Sequence, residues 1–373
     1  MEKKLDLLFV NKFKNKKILI TGHTGFKGAW LAFWLKNLDA NILGIAQKPH
    51  TKPSLFKVLK LEKKIKNKYL NINNYEKLNK VFVNFKPEIV FHLAAQAIVK
   101  KSYTNPLETF QSNSIGTLNI LECAKKCKNT KGIIIITSDK AYLNDERKKG
   151  YIENDKLEGK DPYSCSKSVA ELICKSYYNS YFKSSNKTLI TFRAGNVIGG
   201  GDWSKNRIVP DIFRCWSKKK NLIVRDPNAT RPWQHVLEPL SVYLQAGYLS
   251  IRKNNLNGQS FNIGPDLKKS EKVISLIRKF KDSWKLTKPK ILIKKSKDKK
   301  EAKLLSLNCS KIKKILKWKP SLDFKNTIKF TSSWYSDFYL KKDMEKITKK
   351  QIHLYCELVR KKWFKNYEQN KKL

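Results

Sequence analysis

A run of glycines between a short apolar strand and an apolar helix constrains this chain more than any other feature. Residues 17–21 read as a buried strand and residues 29–38 as a helix. Between them stand Gly22, His23, Thr24, Gly25, Phe26, Lys27 and Gly28, with the glycines spaced GxxGxxG. Glycine permits the tight turn, lets the helix pack closely on the strand, and leaves room for a dinucleotide pyrophosphate at the helix N-terminus. The alternation continues with strands over 41–45, 89–93, 132–137 and 188–193 and helices over 75–84, 114–126 and 161–183. Strands alternating with helices specify an α/β fold, a doubly wound parallel sheet covered on both faces. After Gly195 the pattern breaks into glycine-, proline- and tryptophan-rich loops, where a smaller C-terminal substrate-binding lobe is expected. The expected division is a nucleotide-binding domain over 1–195, joined by a segment near 233–262, a substrate lobe mainly over 196–340, and a basic helical tail over 341–373.

Composition narrows the class. Hydrophobic residues make up 40% of the 373 and aromatics 11%, too much apolar material for a disordered chain. No apolar run approaches the roughly 18 residues that span a bilayer, and the one near the N-terminus is too short for a signal-peptide core, so a cytoplasmic protein without a membrane partner is expected. The seven cysteines lack the spacing of a zinc site and read as reduced thiols, with no metal expected. Lys+Arg minus Asp+Glu, 79 minus 31, gives +48. The excess is mostly lysine spread along the whole chain and mixed with asparagine and isoleucine, as AT-biased coding produces. It reads as composition before it reads as nucleic-acid binding, although it would also attract an anionic nucleotide.

Two groups of residues carry chemistry. Tyr163 and Lys167 lie one helical turn apart on one face, and a nearby ammonium would favour phenolate and make a usable base. The strand before residue 137 ends in Thr137, Ser138, Asp139 and Lys140, at a strand C-terminus where α/β sheets place their sites. The loops over 193–203 and 231–236 supply arginines and aromatics suited to phosphates and bases. His235, in the second loop, is either a structural histidine or a chemical one. At the end of the second strand, Gln47 and Lys48 stand where an acidic residue would hold the adenosine ribose. NAD is preferred, with NADP left open.

Taken together, these segments resemble the extended short-chain dehydrogenase/reductases, the NAD-dependent epimerase/dehydratase family with its Rossmann-like fold. Within that family they resemble the branch of sugar-nucleotide 4,6-dehydratases that acts on CDP-glucose. The resemblance spans about residues 16–340 and rests on 22–28, Phe91-His92-Leu93-Ala94-Ala95-Gln96, 137–140, Asp161-Pro162-Tyr163-Ser164, 193–203 and 231–239. Related dehydratases carry Thr-Asp-Glu where this chain has Ser138-Asp139-Lys140, and Asn71-Ile72-Asn73 replaces acidic residues near the adenine. The resemblance implies NAD held by residues 22–28 with Leu93, Ala94, Ala95, Tyr163 and Lys167. It implies CDP-glucose held by Gln96, Ser138, Asn196, Arg207, Arg231 and His235. By the same token, Tyr163 would take the 4-hydroxyl proton with its pKa lowered by Lys167, Asp139 would act as general acid, and Lys140 is the candidate base. A homo-oligomer, dimer or tetramer, is implied as well. The rivals are another NDP-hexose dehydratase or 4-epimerase of the same fold, and a non-catalytic nucleotide- or RNA-binding protein.

Overall fold

The computed structural model describes residue 9 and residues 11–147, 149–224, 226–252, 254–266, 270–286, 290–293 and 305–370. The lysine-rich segment over 294–303 lies outside them. Seven strands form one sheet: β1 (Lys17–Thr21), β2 (Asn41–Ala46), β3 (Lys66–Tyr69), β4 (Ile89–His92), β5 (Gly132–Ile136), β6 (Thr188–Ala194) and β7 (Gln259–Ile263). Their spatial order is β7-β6-β5-β4-β1-β2-β3, and every pairing is parallel. The order reverses beside β1, which pairs with both β2 and β4 (Ile18 opposite Ile42 and Ile89), and such a reversal opens a crevice at the strand C-termini.

Strand alternation divides the core between the two faces. Ile18, Ile20, Phe91, Ile134 and Ile136 join one buried cluster, and Leu19, Val90, Ile133 and Ile135 join the other. Both faces are covered by helices, so these strands read as continuous apolar runs. Helix α1 (Phe26–Lys36) buries Ala29 through Leu35 on every side and begins three residues earlier than its apolar periodicity suggests. Its outer side is covered as well, since the Trp30 indole donates to the Gly200 carbonyl at 2.9 Å. Helix α2 (Tyr75–Phe85) is amphipathic instead. Asn74 caps it by accepting from the Lys77 amide, Leu78, Val81, Phe82 and Phe85 face the sheet, and Lys86 ends it at φ 52°. Helix α3 (Gly116–Lys126) follows a π-helical turn, Gln111–Ile115, so the stretch from 114 is helical but not uniformly α. Strand β3 was not expected, because its lysine-rich sequence carries no apolar alternation.

Helix α4 (Pro162–Tyr177) starts where its sequence dictates. Asp161 accepts from the Ser164 amide at 3.0 Å and Pro162 occupies the first turn. The chain then enters the smaller lobe through α5 (Ile208–Ser217), returns to the sheet through α6 (Leu237–Ser250) and β7, and leaves again through α7 (Val273–Ser283). Phe213 of α5 stacks at 4.2 Å on Tyr335 of α8 (Phe324–Tyr339) and meets Phe280 of α7 at 5.0 Å, which gives the lobe an aromatic core. The basic helix expected at the C-terminus is α9 (Met344–Asn370), and its first half is docked. Ile352, Tyr355, Cys356 and Val359 are buried at helical spacing, and the Tyr355 hydroxyl donates to Glu238 of α6 at 2.9 Å.

A buried ion pair ties β5, β6 and α4 together. Arg193 Nη2 donates to Glu171 Oε2 at 2.8 Å, and the hydroxyls of Thr137 and Thr191 also donate to that carboxylate. Removing one member of such a pair leaves the other charge uncompensated. Glu171→Gln is therefore expected to lower the unfolding free energy by about 3–5 kcal/mol, read as a lower urea midpoint at unchanged slope. An unaltered midpoint would show that the pair is not needed.

Candidate active site

The glycine turn sits at the crevice beside β1. Gly22 has φ +76°, and a Cβ there would lie 2.7 Å from the Ala94 amide nitrogen; at Gly28 it would lie 2.2 Å from the Gly22 carbonyl oxygen. Only glycine lets the turn, α1 and the segment after β4 come this close. The turn is tied to β2, with the Gly22 amide donating to Ile45 O at 2.8 Å and the Thr24 hydroxyl to Gln47 O at 2.9 Å. The Leu93 and Ala94 amides donate to Thr21, which sets Leu93 and Ala94 directly against the glycine turn, with Ala95 next in the chain. A Cβ on Gly25 would meet little beyond Gly22 O, at 3.3 Å, so Gly25 leaves space at the start of α1. That cradle fits a dinucleotide phosphate at a helix N-terminus. Further along, the buried Asn73 Oδ1 has no partner, an acceptor in the segment expected near an adenine.

The catalytic candidates converge from two elements. The Ser138 hydroxyl donates to Asp139 Oδ1 at 2.9 Å and accepts from the Lys140 amide at 3.2 Å, in the turn after β5. Across from them, the first turn of α4 brings the buried Tyr163, with Lys167 one turn further on. Asp139 is buried against Gly195, where a Cβ would stand 1.7 Å from Oδ2. A small pocket reaches it, lined also by Gly195, Pro232, Ile263 and Ser306. Burial raises the Asp139 pKa, opposed by the nearby Lys140 ammonium and the Ser138 hydrogen bond. Burial lowers Lys167 to about 8, with the Glu171 charge acting against it. Lys27 comes down to about 7 through burial and its neighbours Lys167 and Arg207, opposed by Asp139. Arg207 donates to Asp202 at 3.0 Å and Arg231 adds its charge near Asp139, so cations outnumber carboxylates here, an arrangement that suits an anionic ligand. Asn196 holds its left-handed turn, φ 49°, by accepting from the Gln234 amide at 3.2 Å.

Four expectations need correction. His23 does not face the crevice: its ring is fully buried in the space left by Gly44, its Nε2 bonds Asn67 Oδ1 at 2.6 Å, and it meets Phe56 edge to face. His235 is equally buried, packed between Trp30 and Phe330, and burial lowers it to about 3, so it is a structural histidine out of reach of substrate. The Gln96 amide is spent on its own loop, accepting from Ile98 N at 2.6 Å and donating to Ile98 O and Thr109. The Tyr163 phenol is raised, not lowered. Burial dominates, the Ser138 hydrogen bond opposes it, and the Asp139 charge adds to it. Glu171 and Asp202, the charge partners of Arg193 and Arg207, were given no role in the sequence. Glu171 was within reach, four residues after Lys167 and so on the same helix face. Among the described residues, no group of three or more His, Cys, Asp or Glu side chains could hold a metal ion.

Comparison with known proteins follows this geometry. The chain is 39% identical over 350 residues to a CDP-glucose 4,6-dehydratase of Salmonella typhimurium, covering 92% of this chain and 97% of that one. Its fold is that of a UDP-glucose 4-epimerase of Thermotoga maritima solved with UDP-glucose (TM-score 0.74, 22% identity, 86% of this chain and 99% of that one). The dTDP-glucose 4,6-dehydratase of Bacillus anthracis solved with NAD is similar (TM-score 0.70, 22% identity, 86% and 96%). The family description GDP-mannose 4,6 dehydratase matches residues 19–331, most of the length of the chain, and the chain belongs to that family.

Proposed function

We propose that the protein converts CDP-glucose to CDP-4-dehydro-6-deoxyglucose and water with bound NAD. The observation that carries this reading is the likeness over nearly the whole chain to a CDP-glucose 4,6-dehydratase, together with a Ser138-Asp139-Lys140 turn facing Tyr163 and Lys167. The glycine turn, Leu93, Ala94, Ala95 and Lys167 would hold NAD, with Asn73 supplying an acceptor toward the adenine. NAD when bound accepts hydride from carbon 4 and returns it at carbon 6, so the reaction has no net redox.

The chain supplies the proton chemistry. Tyr163 takes the 4-hydroxyl proton, and Lys167 contributes positive charge along the same helix face that favours the phenolate this needs. The resulting ketone acidifies carbon 5, where Lys140 is the candidate base. Asp139, its pKa raised by burial, protonates the departing 6-hydroxyl. Arg207 and Arg231 bear the charge of the substrate diphosphate.

Incubating the purified chain and NAD with CDP-, dTDP-, GDP- and UDP-glucose should give a dehydrated 4-keto product by mass spectrometry from the CDP sugar above the others. A dTDP or GDP preference would move the protein to another branch of the fold. Tyr163→Phe should lower turnover by roughly two to four orders of magnitude at unchanged thermal stability, since only one phenolic oxygen is lost. Lys140→Met should yield a 4-keto hexose that has not lost water. Failure to form any 4-keto sugar would make Lys140 a binding residue and move the carbon 5 base elsewhere.

A further inference from the structure

We propose that the small pocket beside Asp139 is a water site that takes up the water expelled from carbon 6 of the sugar and carries it away from the reaction centre. The proposal rests on the dehydratase reading and adds to it a route for the product that is not the sugar nucleotide.

The pocket lies on the far side of the carboxylate from the cofactor crevice. Asp139 follows β5, and the pocket is lined by Gly195 just past β6, by Ile263 and Gly264 where β7 ends, and by Ser270 and Ser306. In the sheet, β6 and β7 stand on one side of β5, whereas β4 and β1, which border the crevice, stand on the other. The two oxygens of Asp139 divide accordingly. Oδ1 accepts from the Ser138 hydroxyl at 2.9 Å, and Oδ2 points to Gly195, where a Cβ would stand 1.7 Å away. The lack of a side chain on Gly195 opens Oδ2 to the pocket.

Size and lining suit water. The pocket has room for about one water molecule and not for a sugar. A buried water takes about two to four polar partners, and Asp139 Oδ2 with the Ser306 and Ser270 hydroxyls can supply them. Ser306 is buried, 5% exposed, and its hydroxyl bonds no protein group among the described residues. Gln234 fixes the walls, since its Nε2 donates to the Gly195 and Ile263 carbonyls, each at 3.0 Å, and so holds the ends of β6 and β7 in place.

The chemistry needs such an outlet. In the elimination the carbon 5 proton goes to its base, the C6–O bond breaks, and the departing oxygen takes the Asp139 proton and becomes water, leaving a C5=C6 double bond conjugated with the 4-ketone. Loss of water next to a ketone is reversible. Carbon 6 has then to receive hydride, and a water left against it both blocks that approach and adds back. The carboxylate formed in this step accepts hydrogen bonds on both oxygens, so the water can pass from the sugar side to Oδ2 and the serine hydroxyls without losing its contact. Hydride and a proton then return to carbons 6 and 5, and the only species moved is the water itself.

Gly264 offers a way to fill the pocket without a clash. A Cβ there would meet nothing nearer than Cys309 Sγ, at 3.8 Å, so Gly264→Ala and Gly264→Val add volume in open space. In single turnovers of the NAD-loaded protein with CDP-glucose, the absorbance of reduced cofactor should rise at the wild-type rate in both variants, because oxidation at carbon 4 does not use the pocket. Its decay should slow in the order of added volume, roughly ten-fold for Gly264→Val, which corresponds to about 1.4 kcal/mol of barrier. Adding Ser306→Gly to Gly264→Val gives volume back and should recover most of the loss. Unchanged decay in both variants, equal slowing of rise and decay, or no recovery in the double variant would overturn the proposal.

A second measurement needs no turnover. A crystal structure of the wild-type protein should show an ordered water within hydrogen-bond distance of Asp139 Oδ2 and the Ser306 hydroxyl, and Gly264→Val should lack that water with Asp139 in place. A wild-type pocket without it would sink the proposal. Normal dehydration that is indifferent to Gly264 removes the water route alone, whereas a wild-type chain that dehydrates no NDP-glucose removes the dehydratase reading and the route with it.

Discussion

The buried contact between Arg193 and Glu171 is the constraint on which the site depends. Arg193 lies on β6, Glu171 on α4, and Thr137 at the end of β5, so one carboxylate gathers the three elements that carry Ser138, Tyr163 and Lys167. Arg193 also donates to the Tyr142 hydroxyl at 2.7 Å and to the Glu153 carbonyl at 2.9 Å, which binds the loop after the Ser138 turn to the same centre. Two buried charges cost desolvation energy that a single ion pair recovers only in part. The surrounding hydroxyls complete the coordination of the carboxylate, and the network persists because every one of its oxygens is engaged. Its electrostatic reach extends upward, since Glu171 sits one turn beyond Lys167 and resists the burial that would discharge that ammonium.

Much of this architecture was legible in the sequence because local signals and global fold agree. The glycine turn, the isoleucine-rich β5, the Asp161-Pro162 start of α4 and the Tyr163/Lys167 spacing each state their structure within a few residues. The edge strand β3 was not legible. It borders the sheet on one side only, and its Lys-Asn-Lys-Tyr sequence satisfies hydrogen bonding without an apolar pattern. Where the reading failed at the site, the cause was tertiary. His23 lies inside a glycine motif, yet the hole it fills belongs to Gly44, more than a dozen positions away. His235 is surrounded by rings from α1 and from Phe330 that no local pattern announces.

The tyrosine shows the same limit in energetic terms. A Tyr-x-x-x-Lys spacing places an ammonium on the face of the phenol, but spacing says nothing of how dry the site is. Here desolvation dominates and leaves the phenol raised above its ordinary value, with the Ser138 hydroxyl and the Arg207 charge acting against it. The cation-rich surroundings, Lys27, Lys167, Arg207 and Arg231, suit anions, and Asp202, Glu171 and Asp139 offset part of their mutual repulsion.

Gly200 joins parts of the chain that its position would not suggest. Its carbonyl receives the Trp30 indole of α1, and a Cβ on it would stand 2.1 Å from Trp334 Cγ of α8. One backbone atom pair thus meshes the helix behind the glycine turn with a helix of the distant C-terminal region. The consequence is coupling: a side chain at position 200 would push Trp334 and α8 away and draw the carbonyl off the Trp30 indole, so a change in this loop would be felt at the helix behind the glycine turn.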